Sequence, residues 1–486
     1  MNYGMVRNIV GKIMLLVAAL MCLPLFVSII SKDESFIHCL AFLIPMTLLI
    51  LFGILLCYRK PVSLRIGGKE GFVIVSLSWI VMSLFGCLPF IISKQLPNFF
   101  DAFFEISSGF STTGASVVTN IESWANSMLF WRSFSHWIGG MGVLVFVLAF
   151  IPESDNGSAM HILRAESPGP QVGKLVSKMK ATSRILYLIY MGMTLIQILL
   201  LWFGPDEKMS LFRSVIYTFG TAGTGGFSMD STGLEFYSNY SQYVIAIFMI
   251  LFGVNFTIYY LMLIGNWREV YKNEEVRTYL IIVFVAVAIV CGSLLSLNMG
   301  FEEAFRKSLF QVASIVSTTG FSTTNFDLWP EIAKIVIIIL MVCGACAGST
   351  AGGVKTSRII ILVKSTFKKV KSMISPRKVE SIKMNGEVVD DKVVEGVQGF
   401  IVMYLLVFVF CALLISIDGQ STITNITASL SCISNIGPGL DAVGPYGSFS
   451  VFSNFSKFVL SLEMIAGRLE IFPLLALFYP GTWKRR

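Results

Sequence analysis

The chain has 486 residues, of which 55% are hydrophobic and 14% charged, and its mean hydropathy is +0.75. Ordinary globular proteins are about 25% charged, so a water-soluble fold is excluded. Collagen and disorder are excluded too, because apolar residues dominate and no glycine period runs through the chain. The formal charge of +8 would suit nucleic acid, but its distribution, taken up below, assigns it to membrane topology.

A helix needs about 20 mostly apolar residues to cross a bilayer core. In that unit the sequence predicts spans near 10–30, 37–58, 71–93, 127–152, 183–204, 240–265, 278–298, 331–362, 394–417 and 455–480. The first is long enough to span and has no A-x-A site, which argues against a cleavable signal peptide. The nine cysteines fall almost entirely in apolar stretches, where they read as small packing residues. Cys343 and Cys346 form a CxxC without the second pair or nearby His that a zinc site requires.

Between alternate spans lie segments too short or too polar to cross, near 100–112, 211–223, 304–317 and 422–434, and these repeat. Aligned on a glycine they read FDAFFEISSGFSTTG to Gly114, FRSVIYTFGTAGTGG to Gly226, RKSLFQVASIVSTTG to Gly320 and ITNITASLSCISNIG to Gly437. The predicted fold is therefore an all-α polytopic membrane protein. Two extra N-terminal helices (1–65) precede four units of span, pore helix, filter loop and span, at 66–165, 166–272, 273–385 and 386–486, arranged with pseudo-fourfold symmetry.

Non-helical backbone at membrane depth is tolerated only where it is buried in protein or lines a water-filled cavity. Four such loops in register predict a pore. Each pore helix directs the negative end of its dipole inward, and glycine lets carbonyls turn to the axis, where a ring of them replaces the water shell of a monovalent cation. The expected ion-binding positions are Thr112, Thr113 and Gly114; Thr224, Gly225 and Gly226, where GTGG offers two candidate glycines; Thr318, Thr319 and Gly320; and Asn435, Ile436 and Gly437.

The second helix of each unit carries a mid-helix glycine, and the third carries several. Gly344, Gly348, Gly352 and Gly353, with Ser349 and Thr350, are poor helix formers, so this helix is expected to break into an intramembrane loop ending near Lys355 that gates the pore. The alternative is a plain kink. GSTAGGVKT resembles a nucleotide-binding loop, but Val354 separates Gly353 from Lys355 and no strand precedes it. Arg468 is a cation within a span, where such residues face a bundle interior or water. It is expected to raise a barrier to cations beneath the filter, the alternative being an ion pair with another helix. At 100° per residue, Glu463 and Glu470 share a face that Arg468 avoids.

With the N-terminus inside, 27 of the 37 basic residues fall on one side, nine on the other and Arg468 within a span. The positive-inside rule then puts both termini in the cytoplasm. The outer side holds 15 acidic residues, which would concentrate cations at its mouth. An enzyme is not expected: there are three histidines, neither HExxH nor GxSxG occurs, and no acid/base pair converges in the spans.

The filter segments, WRSFSHWIGGMG at 131–142, GTAGTGGFS at 220–228, STTGFSTTNFDLWP at 317–330, GSTAGGVKT at 348–356 and AGRLEIFP at 466–473 together resemble the Trk/Ktr/HKT superfamily of potassium transporters over essentially the whole chain. The two extra helices make the chain similar to the Trk-type membrane subunit. The resemblance implies a bacterial inner-membrane homodimer with a potassium pore in each protomer, on a cytoplasmic ring of nucleotide-binding TrkA-like subunits. It also implies that K+ is the transported ion, with no cofactor in this chain, that 344–355 is the gate loop, and that Arg468 is the pore arginine. In this family Ser at the first filter position accompanies sodium permeation, so Gly114 implies a potassium preference. A sodium-permeable or sodium-coupled relative is the alternative function. The nine bases of 355–383 are suited to docking the ring or anionic lipid, and membrane tethering leaves no reason to invoke DNA.

Overall fold

In the computed structural model, residues 1–31, 34–59, 61, 67–140, 142, 179–375 and 380–483 are described. The C-terminal half of predicted span 127–152, Lys32, Asp33, His161 and parts of the basic stretches at 59–69, 164–184, 355–383 and 484–486 lie outside them.

The described chain is helical apart from one small hairpin, Lys383–Met384 paired antiparallel with Glu387–Val388. Two N-terminal helical segments, Tyr3–Ile30 and Phe36–Cys57, pack together where Gly11 faces Gly53. A Cβ on Gly11 would lie 2.9 Å from the Gly53 carbonyl oxygen, so the absent side chains are what bring these backbones together. Each later unit opens on a helix that precedes one of the predicted pore helices: Gly68–Ile92, Met179–Trp202, Glu274–Leu295 and Asp391–Ile415. Large apolar residues such as Leu55, Phe284, Leu405 and Phe410 stand on the exposed faces, as a lipid-facing surface requires.

The pore helices occupy Phe99–Phe110, Leu211–Ala222, Phe301–Val316 and Thr422–Ser434, close to their predicted positions. Asn98, Ser210 and Ser421 cap three of them by accepting from backbone N–H groups of the first turn.

The expected ten continuous spans are corrected at the second helix of the units. Among the described residues six helices are long and apolar enough to cross a bilayer, and a seventh if one bent pair is counted as a span. Predicted span 240–265 is that pair, Asn239–Phe252 and Phe256–Leu263, bent by 91°. Span 331–362 is helical over Glu331–Cys343 and resumes at Thr356–Ile374. Span 455–480 stops at Arg468 and resumes at Phe472–Phe478. The third unit was expected to differ from the rest, yet every second helix described on both sides of its glycine region is broken. Hydropathy averages across breaks as short as 253–255 and 469–471, which is why 240–265 and 455–480 read as continuous spans.

Candidate functional site

The four pore helices end alike. Thr112, Thr224, Thr318 and Asn435 adopt left-handed backbone angles, with φ of 56°, 56°, 57° and 56°. The next N–H in each turn reaches back five residues: Thr113 to Ser108 at 2.9 Å, Gly225 to Gly220 at 2.8 Å, Thr319 to Ser314 at 2.8 Å and Ile436 to Ser431 at 3.0 Å. These are helix-terminating turns of the Schellman type built on threonine or asparagine where glycine is usual. A non-glycine residue held there costs on the order of 1–3 kcal/mol and persists only where its surroundings over-determine it. Asn435 stands where the other turns have Thr, and asparagine is among the side chains that best tolerate this conformation.

One residue further, Gly114, Gly226, Gly320 and Gly437 have φ of 81°, 74°, 84° and 108°. Backbone geometry thus resolves the second copy: Gly226 matches the other glycines and Gly225 is the central residue. The four glycines close a ring. A Cβ on Gly114 would strike the carbonyl oxygen of Gly225; on Gly226, that of Thr319; on Gly320, that of Ile436; and on Gly437, that of Thr113, at 2.8 Å. Each glycine therefore abuts the central carbonyl of the next unit, in the order first, second, third, fourth, first. The carbonyl ends of four pore helices meet here, each with a partial charge of about −0.5 by the macrodipole estimate.

On one side the ring opens into a vestibule of about 120 Å³ lined by the four glycines, Ser116, Phe227, Asp230, Ser322 and Pro438 among others. A second cycle of bonds surrounds it. Glu122 accepts from the Ser231 N–H at 2.8 Å, Ser322 O from the Leu234 N–H at 2.8 Å, Asp327 Oδ1 from the Asp441 N–H at 3.2 Å, and Ser116 O from the Phe449 N–H at 2.9 Å. These loops lie outside the helices, and their carboxyls are tuned. The Ser231 hydroxyl and N–H hold Glu122 below its ordinary value, and the Ser421 and Thr424 hydroxyls do so for Asp441. Burial pushes Asp327 up.

On the other side the helix breaks converge on residues 344–355, the predicted gate loop. Gly352 N–H donates to Thr318 Oγ1 at 2.7 Å, directly beneath the ring. The Cys346 N–H donates to Gly253 O at 3.0 Å, and the Phe256 N–H to Gly348 O at 3.1 Å, which seats the loop on the 91° bend of the second unit. Arg468 donates to Thr350 O of the loop and to Gly139 O and Gly140 O of the first unit, each at 2.6 Å. Lys355 is buried, with φ of 77°, and donates to Ala351 O within the loop. Gly344, Gly348 and Gly353 carry positive φ, while Ser349 donates to Cys346 O at 2.6 Å and Thr350 to Phe252 O at 3.3 Å.

The predicted positions are thus brought together as two layers, ring above loop. The bonds of Arg468 to carbonyls of the loop and of the first unit join three units. Projecting Glu470 on a helical wheel was invalid: the helix ends at Arg468, and Glu470 and Ile471 have φ of 55° and 69°. Glu470 pairs with Arg358, and Glu463 accepts from Ser429 Oγ at 2.6 Å.

Sequence reasoning missed Glu275. Its Oε1 accepts from the Ala347 N–H at 2.7 Å and the Ser357 N–H at 3.1 Å, pinning both ends of the loop. A glutamate in the first turn of a helix is ordinary dipole chemistry, so nothing in the sequence marked it out. Arg358 and His136 were missed likewise, because Glu470 and Phe227, which they meet, lie far away in sequence.

The described residues align with known proteins over nearly their whole length. The profile of the TrkH family, described as a cation transport protein, matches residues 38–482. The Trk system potassium uptake protein TrkH of Escherichia coli K12 is 32% identical over 494 residues, covering all of both chains. The Trk system potassium uptake protein TrkG of the same strain is 29% identical, covering 99% of this chain and 98% of its own. The crystal structure of the potassium transporter TrkH from Vibrio parahaemolyticus superposes with a TM-score of 0.87 at 30% identity, covering all of both chains. With its helical membrane architecture and this match, the chain belongs to the TrkH family of cation transport proteins, transporters rather than enzymes.

Proposed function

We propose that this protein takes up potassium across the bacterial inner membrane through a filter formed by residues 112–114, 224–226, 318–320 and 435–437. The observation that carries the reading is the closed ring, in which each glycine abuts the next unit's central carbonyl. Carbonyls held at matching positions around an axis can replace the hydration shell of a dehydrated monovalent cation, and glycine is required wherever a Cβ would strike the neighbouring carbonyl. Relatives of the same length are named as potassium uptake proteins. The loop at 344–355, latched by Arg468, is the gate. Both termini are cytoplasmic, the vestibule faces outward, and the protein works as a homodimer on a TrkA-like nucleotide-binding ring that acts on the gate from the side of the basic helix Thr356–Ile374.

The test is growth of a potassium-uptake-deficient bacterial strain at low potassium. The protein should rescue growth, and Gly114→Asp or Gly437→Asp should abolish rescue with the protein still in the membrane. Retained potassium uptake in either variant would remove the filter reading.

A further inference from the structure

The turns of the ring are braced from behind by side chains, with one exception. In the first unit Ser111 Oγ lies 2.7 Å from Thr113 Oγ1, and in the third Ser317 Oγ lies 2.7 Å from Thr319 Oγ1. In the fourth, Asn435 Nδ2 donates to Thr113 Oγ1 at 2.9 Å and to Met464 O at 2.8 Å. The second unit has Gly223 and Gly225 at the two bracing positions, and Thr224 turns its hydroxyl to Gly223 O at 2.6 Å. Backbone conformation does not demand glycine there: Gly223 has φ of −72°, and Gly225 lies outside the positive range.

What excludes a side chain at Gly225 is His136, from the second helix of the first unit. A Cβ at Gly225 would overlap the imidazole, and one at Gly223 would meet the His136 backbone and its Cβ. The imidazole is fully buried. Its Nδ1–H donates to Gly109 O at 2.8 Å, at the end of the first pore helix, and its ring lies 4.2 Å from that of Phe227, the residue after Gly226. One turn earlier on the same helix Arg132 sets its guanidinium 3.5 Å from the Phe227 centroid, donates to Ser228 O at 2.9 Å and pairs with Glu105 at 2.6 Å. Residues four apart on one helix face thus hold both the back of the second turn and the segment leaving it.

We propose that His136 is a positioning residue for ion selection: its imidazole stands in for the missing brace of the second unit and fixes the Gly225 carbonyl in the ring. This rests on the filter reading above, and it assigns to one side chain of the first unit the selectivity of the second.

The experiment measures potassium and sodium flux of the purified full-length protein in liposomes. His136→Ala empties the space behind Gly225 and should lower the potassium-over-sodium ratio roughly fivefold to tenfold, the effect of losing about one hydrogen bond, with potassium flux retained. Gly225→Thr with His136 still in place should lower the ratio as well, because the added side chain would overlap the imidazole. An unchanged ratio in His136→Ala would overturn the proposal. Should His136→Ala fail to assemble, His136→Gln and His136→Leu carry the test. Gln keeps an N–H for Gly109 O and should hold the ratio within about twofold, Leu fills volume only and should lower it, and equal ratios overturn the proposal. Gly226→Asp in the same assay separates the two levels, since potassium flux surviving that change would remove the filter itself whatever His136 does.

Discussion

Beneath the ring, Arg468 has two physical effects that substitution can separate. It places a fixed cation under the proposed path of potassium, and its guanidinium fork grips three carbonyls from two other units. A hydrogen bond involving a charged group contributes about 1.5–3 kcal/mol, so Arg468→Ala should raise potassium flux about tenfold or more where closure of the loop limits it. Lysine keeps the charge but loses the planar fork. Flux in Arg468→Lys that stays near wild type points to the electrostatic barrier, and flux that rises toward the alanine variant points to the latch. Glu275 offers an independent check from the opposite side of the loop. Glu275→Ala removes the acceptor for two backbone N–H groups and should raise flux through a loosened loop, whereas Glu275→Gln retains an acceptor and should raise it less; equal flux in both variants and wild type would dismiss the clamp.

At the scale of the element, the repeating unit is a pore helix, its αL turn, a glycine and an outer loop, and each part has a different legibility. The turns were readable because glycine and threonine recur at fixed distance from a bulky apolar run, from Phe103 to Gly114 as from Leu309 to Gly320. The helix break at 344–355 was readable because four glycines within a span cannot sustain a helix. The other breaks were not: residues 253–255 contain one glycine and no proline, and the bend comes from tertiary seating against Cys346 and Gly348. Pairings between elements far apart in sequence, such as His136 with Gly225 or Glu275 with Ala347, leave no local trace because each partner is unremarkable alone. The outer belt has a pH consequence. Because Ser231 holds Glu122 below its ordinary value of 4.5, folding is favoured by the ionised form. That contribution is complete above this value and is lost as pH falls through the depressed one. Glu122→Gln should therefore lower the Tm of the purified protein at pH 7, and the difference from wild type should close as pH falls below the ordinary carboxyl range and the folded-state carboxylate is protonated. A gap that persists into acid would show that the carboxylate charge does not hold this joint. Asp327, pushed up by burial, acts in the opposite direction, so the wild-type-minus-variant difference is the quantity to follow.

For the whole molecule the two sides of the ring differ in kind. The vestibule side is bounded by acidic loops closed into a cycle. The loop side carries the amphipathic helix Thr356–Ile374, whose Ile360 and Ile361 pack with Ile382, Met384 and Val389 beside the hairpin. Its lysines pair outward, Lys364 with Glu274, Lys368 with Asp391 at 3.6 Å and Lys371 with Glu380 at 3.5 Å. Exposed pairs of this kind contribute little to stability. In the orientation proposed from the positive-inside rule, cations meet the acidic mouth first, then the ring, then the loop. A labelling experiment tests the orientation as a single property of the fold. Asn120→Cys, in the outer loop of the first unit, should react with a membrane-impermeant maleimide in intact cells. Met373→Cys, on the exposed end of the basic helix, should react only after the membrane is permeabilised. The wild-type protein in parallel gives the background from its own nine cysteines. The reverse pattern would invert the pathway and turn the proposed entrance into an exit, while labelling of both positions in intact cells would mean that the chain inserts in two orientations.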